Sequence, residues 1–240
     1  MKLSIHPTAL AANQAAAARL THWLALGTTR NIMAAAGNTP LELYRLIGEK
    51  HPPLSHLRIF ALDEYVGVPL EEPRNCANLL RRCLLEPWGI PPGQFHVVSS
   101  LEPDALRSVQ AHERLLSERG GLDVIVLGLG QNGHLGFNEP GSAENSAGRL
   151  LDLEGISIEA NRKWFQGDYA PAQGITVGLK TILAARQVLI MAYGTPKSAA
   201  VAAMIEGPRG VRCPASLLQG HLDVWVFLDE AAAANLTARS

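Results

Sequence analysis

A run of four apolar residues, Val124-Ile125-Val126-Leu127, places the strongest constraint on the fold of this 240-residue chain. Most of the run is β-branched, and no polar residue alternates with it, which is typical of a strand buried on both faces. Strands of that kind occur in parallel sheets that are covered by helices on each side. The run therefore predicts the centre of an α/β fold.

Strand and helix patterns alternate along the chain. Helices are predicted at 9–26, 40–50, 74–85, 103–119 and 196–205, and strands at 31–36, 57–62, 123–127, 156–158, 174–177, 188–193 and 224–228. This alternation predicts a single α/β domain over residues 1–240, with a mostly parallel, Rossmann-like sheet and helices on both faces. Residues 141–173 follow the central strand and are polar and irregular, which fits either an ordinary surface excursion or a lid over a site.

Composition excludes several classes of function. The formal net charge of −1 gives no global attraction to nucleic acid or to an anionic membrane. No signal-peptide stretch is evident, and no segment approaches the roughly 18 uninterrupted apolar residues of a membrane span. Cys76, Cys83 and Cys213 lack metal-ligand spacing, so reduced core thiols are expected. We therefore expect a cytoplasmic globular protein that has neither nucleic acid nor membrane as a partner.

The segment after the central strand, residues 128–140, reads Gly-Leu-Gly-Gln-Asn-Gly-His-Leu-Gly-Phe-Asn-Glu-Pro. Glycines directly after a buried strand let the backbone turn sharply and approach a ligand closely. His134 and Glu139 have the composition of an acid/base pair, because an imidazole titrates near neutral pH and a carboxylate can orient it. A glycine loop with one histidine is a weak signal by itself. Its interpretation as an active-site loop needs support from elsewhere in the chain.

Ligands of open parallel sheets bind beyond the carboxyl ends of the strands, so the segments after the other strands bear on the same site. After the first predicted strand comes Ala36-Gly37-Asn38-Thr39-Pro40. Thr39 is predicted as the N-cap and Pro40 as the first helical residue. The free amides of a helix start suit a phosphate, although this pattern taken alone favours a plain helix cap.

Charged residues follow two further strands. Asp63 and Glu64 come after the strand at 57–62, and neighbouring side chains of an extended chain point in opposite directions, so at most one of them is expected to face the crevice. An acid in that position is usually just solvated. Lys197 falls in the first turn of the helix after the strand at 188–193, where its charge opposes the helix dipole unless an anion binds nearby. This placement favours ligand binding.

Together these loops resemble the glucosamine-6-phosphate deaminase/isomerase family, which is related to the 6-phosphogluconolactonases. The resemblance runs from about residue 31 to residue 228 and rests on Leu-Asp-Glu-Tyr-Val-Gly-Val-Pro at 62–69 and Gly-His-Leu-Gly-Phe-Asn-Glu-Pro-Gly at 133–141. The lactonases are similar around Gly-His but do not usually continue as Phe-Asn-Glu-Pro. Gly-Leu-Gly-Gln-Asn-Gly-His-Leu-Gly at 128–136, Gly-Ile-Thr-Val-Gly-Leu-Lys at 174–180 and Pro-Ala-Ser at 214–216 resemble the galactosamine-6-phosphate branch of the deaminases more closely.

The resemblance implies an enzyme of amino sugar metabolism that converts an aminosugar 6-phosphate to a ketose 6-phosphate and ammonia, with no metal or cofactor. Galactosamine 6-phosphate is the favoured substrate and glucosamine 6-phosphate the next. His134, oriented by Glu139, would open the sugar ring, and Asp63 would take a proton from C2 and return one at C1. Water would then hydrolyse the resulting imine. The enzyme is thus expected to be an isomerase and a hydrolase of a C–N bond.

The resemblance also implies the groups that bind the substrate. The phosphate would lie on three backbone amides and one ammonium group, those of Gly37, Asn38, Thr39 and Lys197. Gly128 and Gly136 of the central loop are also expected at the substrate. The family's lid arginine aligns with Lys163, with Arg162 beside it, and a lysine lacks the planar fork of arginine.

Asn132 departs from the family pattern, in which this position is typically aspartate. Asparagine can hydrogen-bond but carries no charge, so it is expected to take part in the catalytic cluster while holding His134 less strongly as an imidazolium. The basic residues used for allosteric activation in the family match poorly at Leu151 and Asp152. Regulation by an acetylated aminosugar phosphate is therefore not expected.

Two alternative functions stay open. One is a 6-phosphogluconolactonase-type hydrolase, against which the Asn138-Glu139-Pro140 continuation argues. The other is a non-catalytic domain that binds a sugar-phosphate effector, against which the retention of Asp63 and the lack of a helix-turn-helix region argue. The expected partner is a small-molecule aminosugar phosphate, with the chain as a monomer or small homo-oligomer. The C4 configuration of the sugar depends on pocket shape.

Overall fold

Within the part of the chain that the computed structural model describes, residues 1–51, 53–101 and 104–237, seven parallel strands form a central sheet. In spatial order they are β1 (Lys2–His6), β10 (Val224–Asp229), β9 (Gln187–Ala192), β6 (Val124–Gly128), β2 (Asn31–Ala34), β3 (Arg58–Ala61) and β5 (Phe95–His96). Strand β6 lies in the middle of this order, and its four apolar residues are fully buried. The predicted central strand is confirmed.

Helices cover both faces of this sheet. The α-helices of the described residues are α1 (Ala9–Leu24), α2 (Asn38–Gly48), α3 (Cys76–Leu80), α4 (Ala105–Glu118), α5 (Gly155–Trp164), α6 (Leu179–Leu183) and α7 (Ser198–Ile205). Val124 and Val126 of β6 pack in one core cluster with residues of α1 and α2, while Ile125 and Leu127 pack in a second cluster with residues of α4 and α7. Because alternate residues of a strand point to opposite faces, a continuous apolar run satisfies both layers. The predicted α/β fold with a mostly parallel sheet is confirmed.

A small second sheet was not predicted. It is antiparallel, in the order β4 (Asp63–Tyr65), β8 (Gln173–Thr176) and β7 (Arg149–Asp152). The strand predicted at 174–177 exists, but it lies in this sheet and not in the parallel one. In the pairing of β4 with β8, Asp63 lies opposite Thr176. The second sheet therefore fixes the position of the segment that directly follows β3.

The strand predicted at 156–158 is wrong, because these residues belong to helix α5. The Ile-Ser-Ile alternation is too short to separate a strand from a helix, and the buried polar residues Ser157 and Asn161 are one helical turn apart. Strands β1 and β5, the two edges of the parallel sheet, were not predicted. The predicted helix at 103–119 begins at Ala105 in the structure, and Pro103 lies outside the described residues.

Two other predicted helices are shorter than expected. The helix predicted at 74–85 is α3 followed by a π-helical turn at Arg81–Leu85. The helix predicted at 196–205 is a 3-10 turn, Thr195–Lys197, followed by α7. Across residues 1–51, 53–101 and 104–237, none of the helices has the length and apolar character needed to cross a membrane.

Candidate active site

The loops after β2, β6 and β9 and the start of β4 meet at one pocket of ≈ 260 Å³. This is the carboxyl edge of the parallel sheet, where ligands of open α/β sheets bind. The predicted site residues that line it are Gly37, Asn38, Thr39, Asp63, Gly128, His134, Gly136 and Lys197. The structure therefore brings together residues that are far apart in the sequence.

Helix α2 begins at Asn38, so the prediction of Thr39 as its N-cap is wrong. The N-cap is Gly37, whose φ of 100° turns the chain into the helix two residues earlier than expected. A positive φ of this size favours glycine. Pro40 is the third helical residue and has no N–H, so the amides that the helix leaves free at its start belong to Gly37, Asn38 and Thr39. These are the amides that were predicted to bind a phosphate.

Asp63 and Glu64 point in opposite directions, as predicted. The Asp63 side chain lines the pocket. The Glu64 carboxylate accepts hydrogen bonds from the backbone N–H groups of Tyr65 at 2.8 Å, Cys76 at 3.1 Å and Ala77 at 3.0 Å. Glu64 therefore holds the start of α3, and Asp63 is left free for the pocket.

The environment of Asp63 makes its carboxyl group a weak acid. Burial raises its pKa to about 8, with a further contribution from the negative charge of Glu64. Gly136 lies directly against it: a Cβ atom at this position would lie 2.7 Å from Thr176 Oγ1 and 3.3 Å from Asp63 Oδ2. Since Gly136 also has a φ of 58°, a side chain there would be strained as well as crowded. The close approach of the loop to Asp63 therefore requires a glycine.

His134 also lines the pocket, from the loop after β6. Its Nδ1 is 3.3 Å from Glu139 Oε2 and 3.5 Å from Ser157 Oγ. A Cβ atom on Gly130 would lie 2.4 Å from the imidazole ring, so the ring packs flat on the backbone of the loop. With Nδ1 held in this way, Nε2 is the ring nitrogen left for a substrate.

Glu139 is buried and surrounded by hydrogen-bond donors. Burial raises its pKa, but the hydrogen bond and positive charge of His134, together with hydrogen bonds from Ser157 and Asn132, lower it to about 2. Asn132 Nδ2 donates to Glu139 Oε2 at 2.7 Å. Glu139 is therefore an ionised carboxylate that orients the imidazole, and Asn132 belongs to this cluster.

Lys197 lies at the rim of the pocket, in the turn before α7 and not in its first turn as expected. Its Nζ donates to the backbone oxygen of Leu129 at 2.6 Å. Burial lowers the pKa of Lys197. An ammonium that is partly removed from water and bound to a neutral carbonyl gains from an anionic ligand.

Lys163 and Arg162 do not join the pocket. Their side chains are 76% and 62% exposed, and they lie 3.5 Å and 3.9 Å from the carboxylate of Glu159 on the same helix. Lys163 lines an adjoining groove with Arg74. Both residues were predicted at the substrate from the family resemblance. In the structure, α5 presents its other face to the pocket, so the resemblance did not predict which way these two side chains point.

The face of α5 toward the pocket was missed in the sequence. The lining residues from this helix are Ile156, Ser157, Ala160, Asn161 and Trp164. Glu154, directly before the helix, accepts a hydrogen bond from Asn132 Nδ2 at 3.0 Å. A prediction of a helix at 155–164, in place of the strand at 156–158, would have indicated these residues. Part of the segment 141–173 thus forms one wall of the pocket, and its movement as a lid stays a prediction.

Comparison with known proteins extends over almost the whole chain. The family described as glucosamine-6-phosphate isomerases/6-phosphogluconolactonase matches residues 6–226. Two glucosamine-6-phosphate deaminases are each 38% identical to this chain. The enzyme of Cutibacterium acnes matches over 95% of this chain and 89% of its own length, and that of Streptomyces coelicolor over 98% and 93%.

Solved structures agree with the fold. A monomeric glucosamine-6-phosphate deaminase is similar with a TM-score of 0.94 at 28% identity, over 98% of this chain and 100% of that chain. A 6-phosphogluconolactonase of Trypanosoma cruzi is similar with a TM-score of 0.81 at 23% identity, over 99% of this chain and 97% of that one, which shows a common fold.

Proposed function

The chain belongs to the glucosamine-6-phosphate isomerase/6-phosphogluconolactonase family, and from this premise we propose that it is an aminosugar-6-phosphate deaminase. The substrate that we propose is glucosamine 6-phosphate, because the similar proteins above carry that activity in their names. One observation carries the proposal most directly. The pocket is lined both by Asp63, a carboxyl group that can exchange a proton near neutral pH, and by a histidine oriented by an ionised carboxylate.

The phosphate would bind at the start of α2. Three backbone amides with no partner inside the helix lie there, and the Lys197 ammonium lines the same pocket. A helix start and an ammonium group together favour a doubly charged anion. Gly128 lies against this turn, since a Cβ atom there would lie 3.7 Å from the Thr39 side chain. This arrangement supports the proposed roles of Gly37, Asn38, Thr39, Lys197 and Gly128.

Ring opening would use His134. Its imidazole transfers the proton of the C1 hydroxyl to the ring oxygen, which breaks the bond between C1 and that oxygen and leaves an open-chain aldehyde. Glu139 stabilises the imidazolium that forms on the way. Asp63 as carboxylate then removes the proton from C2, and the electron pair moves through C1 to the carbonyl oxygen, which takes a proton from the ammonium group of the substrate.

The product of that step is an enolamine. Return of the proton to C1 gives an imine at C2, and water adds to it with release of ammonia and a ketose 6-phosphate. A carboxyl group with a pKa near the working pH is partly ionised at that pH. Its carboxylate form is also a strong enough base to remove a carbon-bound proton. We therefore propose Asp63 as the base, and we further propose that one chain suffices, since its own residues line the pocket.

Galactosamine 6-phosphate is the second candidate substrate. The asparagine at 132 and the loop form around it resemble the galactosamine-6-phosphate branch, and this resemblance favours the epimer. The two sugars differ only at C4, so one assay tests both.

The test is to offer glucosamine 6-phosphate, galactosamine 6-phosphate and 6-phosphogluconolactone to the purified protein and to follow ammonia release and lactone loss separately. We expect ammonia from glucosamine 6-phosphate, and loss of that signal in the D63N variant. Ammonia from galactosamine 6-phosphate alone would reassign the substrate. Lactone loss with no ammonia from either aminosugar would overturn the proposed function.

A further inference from the structure

The Asn132 side chain joins two carboxylates, one from the loop after β6 and one from the residue directly before α5. Its Nδ2 donates to Glu139 Oε2 at 2.7 Å and to Glu154 Oε2 at 3.0 Å, while its Oδ1 accepts from the His134 backbone N–H at 3.3 Å. An amide nitrogen has two hydrogens, and each is used by a different carboxylate. These three contacts fix the plane of the carboxamide and distinguish its oxygen from its nitrogen.

Glu154 approaches the Glu139 carboxylate in two ways. Its backbone N–H lies 3.4 Å from Glu139 Oε1, and its side chain holds the amide that donates to Glu139 Oε2. Glu154 is the residue directly before α5, the helix that forms one wall of the pocket. It does not itself line the pocket, so it acts on the site only through its neighbours.

We propose that Glu154 is a positioning residue for the deaminase: it holds the Asn132 carboxamide, which keeps the Glu139 carboxylate on Nδ1 of His134. The kinetic part of this inference rests on the proposed function, whereas the geometric part does not. Asn132 and Glu154 form a complementary pair, since an amide can donate to two carboxylates and a carboxylate cannot. Aspartate at 132 would place three carboxylates together with no donor between them.

Substitution of Glu154 tests the pair by kinetics. In E154A the amide loses one acceptor, and we expect kcat to fall about 10-fold with KM within about 2-fold, because the substrate pocket is unchanged. In E154Q the glutamine oxygen still accepts from Asn132, so kcat should stay within about 2-fold of the unsubstituted protein. D152N is the matched control, since Asp152 is an exposed acid two residues away that binds Gln173 at 2.8 Å.

Exchanging the two chemical groups gives a sharper test. N132D alone should lower kcat more than E154A does, because it removes the donor and adds a charge. N132D/E154Q restores one amide–carboxylate pair in reverse order, so it should recover part of the activity that N132D loses. A double variant no more active than N132D, or an E154A variant with unchanged kcat, would overturn the inference.

The NMR signal of the proton on Nδ1 of His134 needs no substrate and separates positioning from charge. Nδ1 lies 3.3 Å from Glu139 Oε2 and 3.5 Å from Ser157 Oγ, and Glu154 reaches this pair through Asn132. A proton in a stronger hydrogen bond to a carboxylate resonates further downfield. E154A and E154Q remove the Glu154 charge equally, whereas only E154A removes the acceptor of the Asn132 amide.

We therefore expect a larger upfield shift of this proton signal in E154A than in E154Q, with the signal assigned by H134N. Equal shifts in the two variants, or no shift in either, would overturn the inference. If the unsubstituted protein released no ammonia, the proposed function would fail, and this NMR measurement would still decide whether Glu154 positions the pair. Thermal unfolding of each variant checks that it is folded.

Discussion

The surroundings of Asp63 and of Glu139 shift the pKa values of these two carboxyl groups in opposite directions. Asp63 and Glu139 are both buried, with 8% and 5% of their surface exposed. No hydrogen bond reaches the carboxyl oxygens of Asp63 from any residue within 1–51, 53–101 and 104–237, and burial raises its pKa to about 8. Glu139 is close to His134, Ser157 and Asn132, and its pKa falls to about 2 in spite of burial. Hydrogen-bond donors and the nearby charge of His134 outweigh burial at Glu139, whereas burial dominates at Asp63.

This difference divides the work of the proposed reaction. A carboxyl group that exchanges its proton near neutral pH suits the removal and return of a carbon-bound proton. A carboxylate that stays ionised suits the orientation of an imidazole. Pairs of titratable groups whose surroundings separate their pKa values are typical of acid/base catalysis.

The largest expected effect comes from D63N. Asparagine has nearly the same shape but cannot take up a proton, so turnover should fall by about 10³-fold or more while phosphate-dependent binding is largely kept. Ammonia release measures turnover, and protection from thermal unfolding by the substrate measures binding. Near-normal turnover would remove Asp63 as the base.

D63N also predicts a change of stability with pH. The folded protein keeps a proton on Asp63 up to about pH 8, whereas the unfolded chain releases it near its ordinary pKa of about 4. The free energy of unfolding therefore loses a contribution as the pH rises through this window. D63N should lack this loss and gain stability relative to the unsubstituted protein from about pH 4 to about pH 8. Denaturant unfolding at several pH values measures it.

E139Q should have the second largest effect, and its stability should change in the other direction. Glutamine cannot stabilise an imidazolium by charge, so we expect kcat to fall by about 10²-fold. The Glu139 carboxylate stabilises the folded protein above its unfolded pKa, and this contribution is lost as the pH falls toward about 2. E139Q should therefore be less stable near neutral pH and lose less on acidification. Equal acid sensitivity of the two proteins would contradict the lowered pKa of Glu139.

K163A should have the smallest effect. The Lys163 ammonium is exposed and lies near Glu159, so its removal should change KM by no more than about 3-fold. Steady-state kinetics measure this, with R162A as the comparison from the same helix. A rise of KM of about 30-fold or more would show that α5 turns toward the substrate during the reaction and would support a lid.

Much of the part of the pocket formed by the start of α2 and by Asp63 could be predicted from the sequence. Strands β2, β3, β6 and β9 are largely apolar, and residues that line the pocket follow closely after each of them. The direction of Asp63 relative to Glu64 followed from strand geometry alone. Local patterns were sufficient there because each residue is placed by the strand immediately before it.

The part of the pocket around His134 depends on contacts that local patterns do not contain. Glu154 meets Asn132 only because α5 lies over the loop, and α5 lies there because β7 and β8 pair in the second sheet. Three successive residues of that helix alternate like a strand, so the element itself was misassigned. The N-cap of α2 was misplaced for a similar reason, since Gly37 starts the helix through its backbone conformation and not through a side chain.

A ¹³C titration of the Asp63 and Glu139 carboxyl carbons in the substrate-free protein tests the contrast between these two groups most directly, with D63N and E139Q to assign the signals. We expect Asp63 to titrate near pH 8 and Glu139 to remain ionised down to about pH 2. Titration of both groups in the ordinary carboxyl range near about pH 4 would contradict the proposed division between a proton-exchanging base and a permanently charged partner of His134.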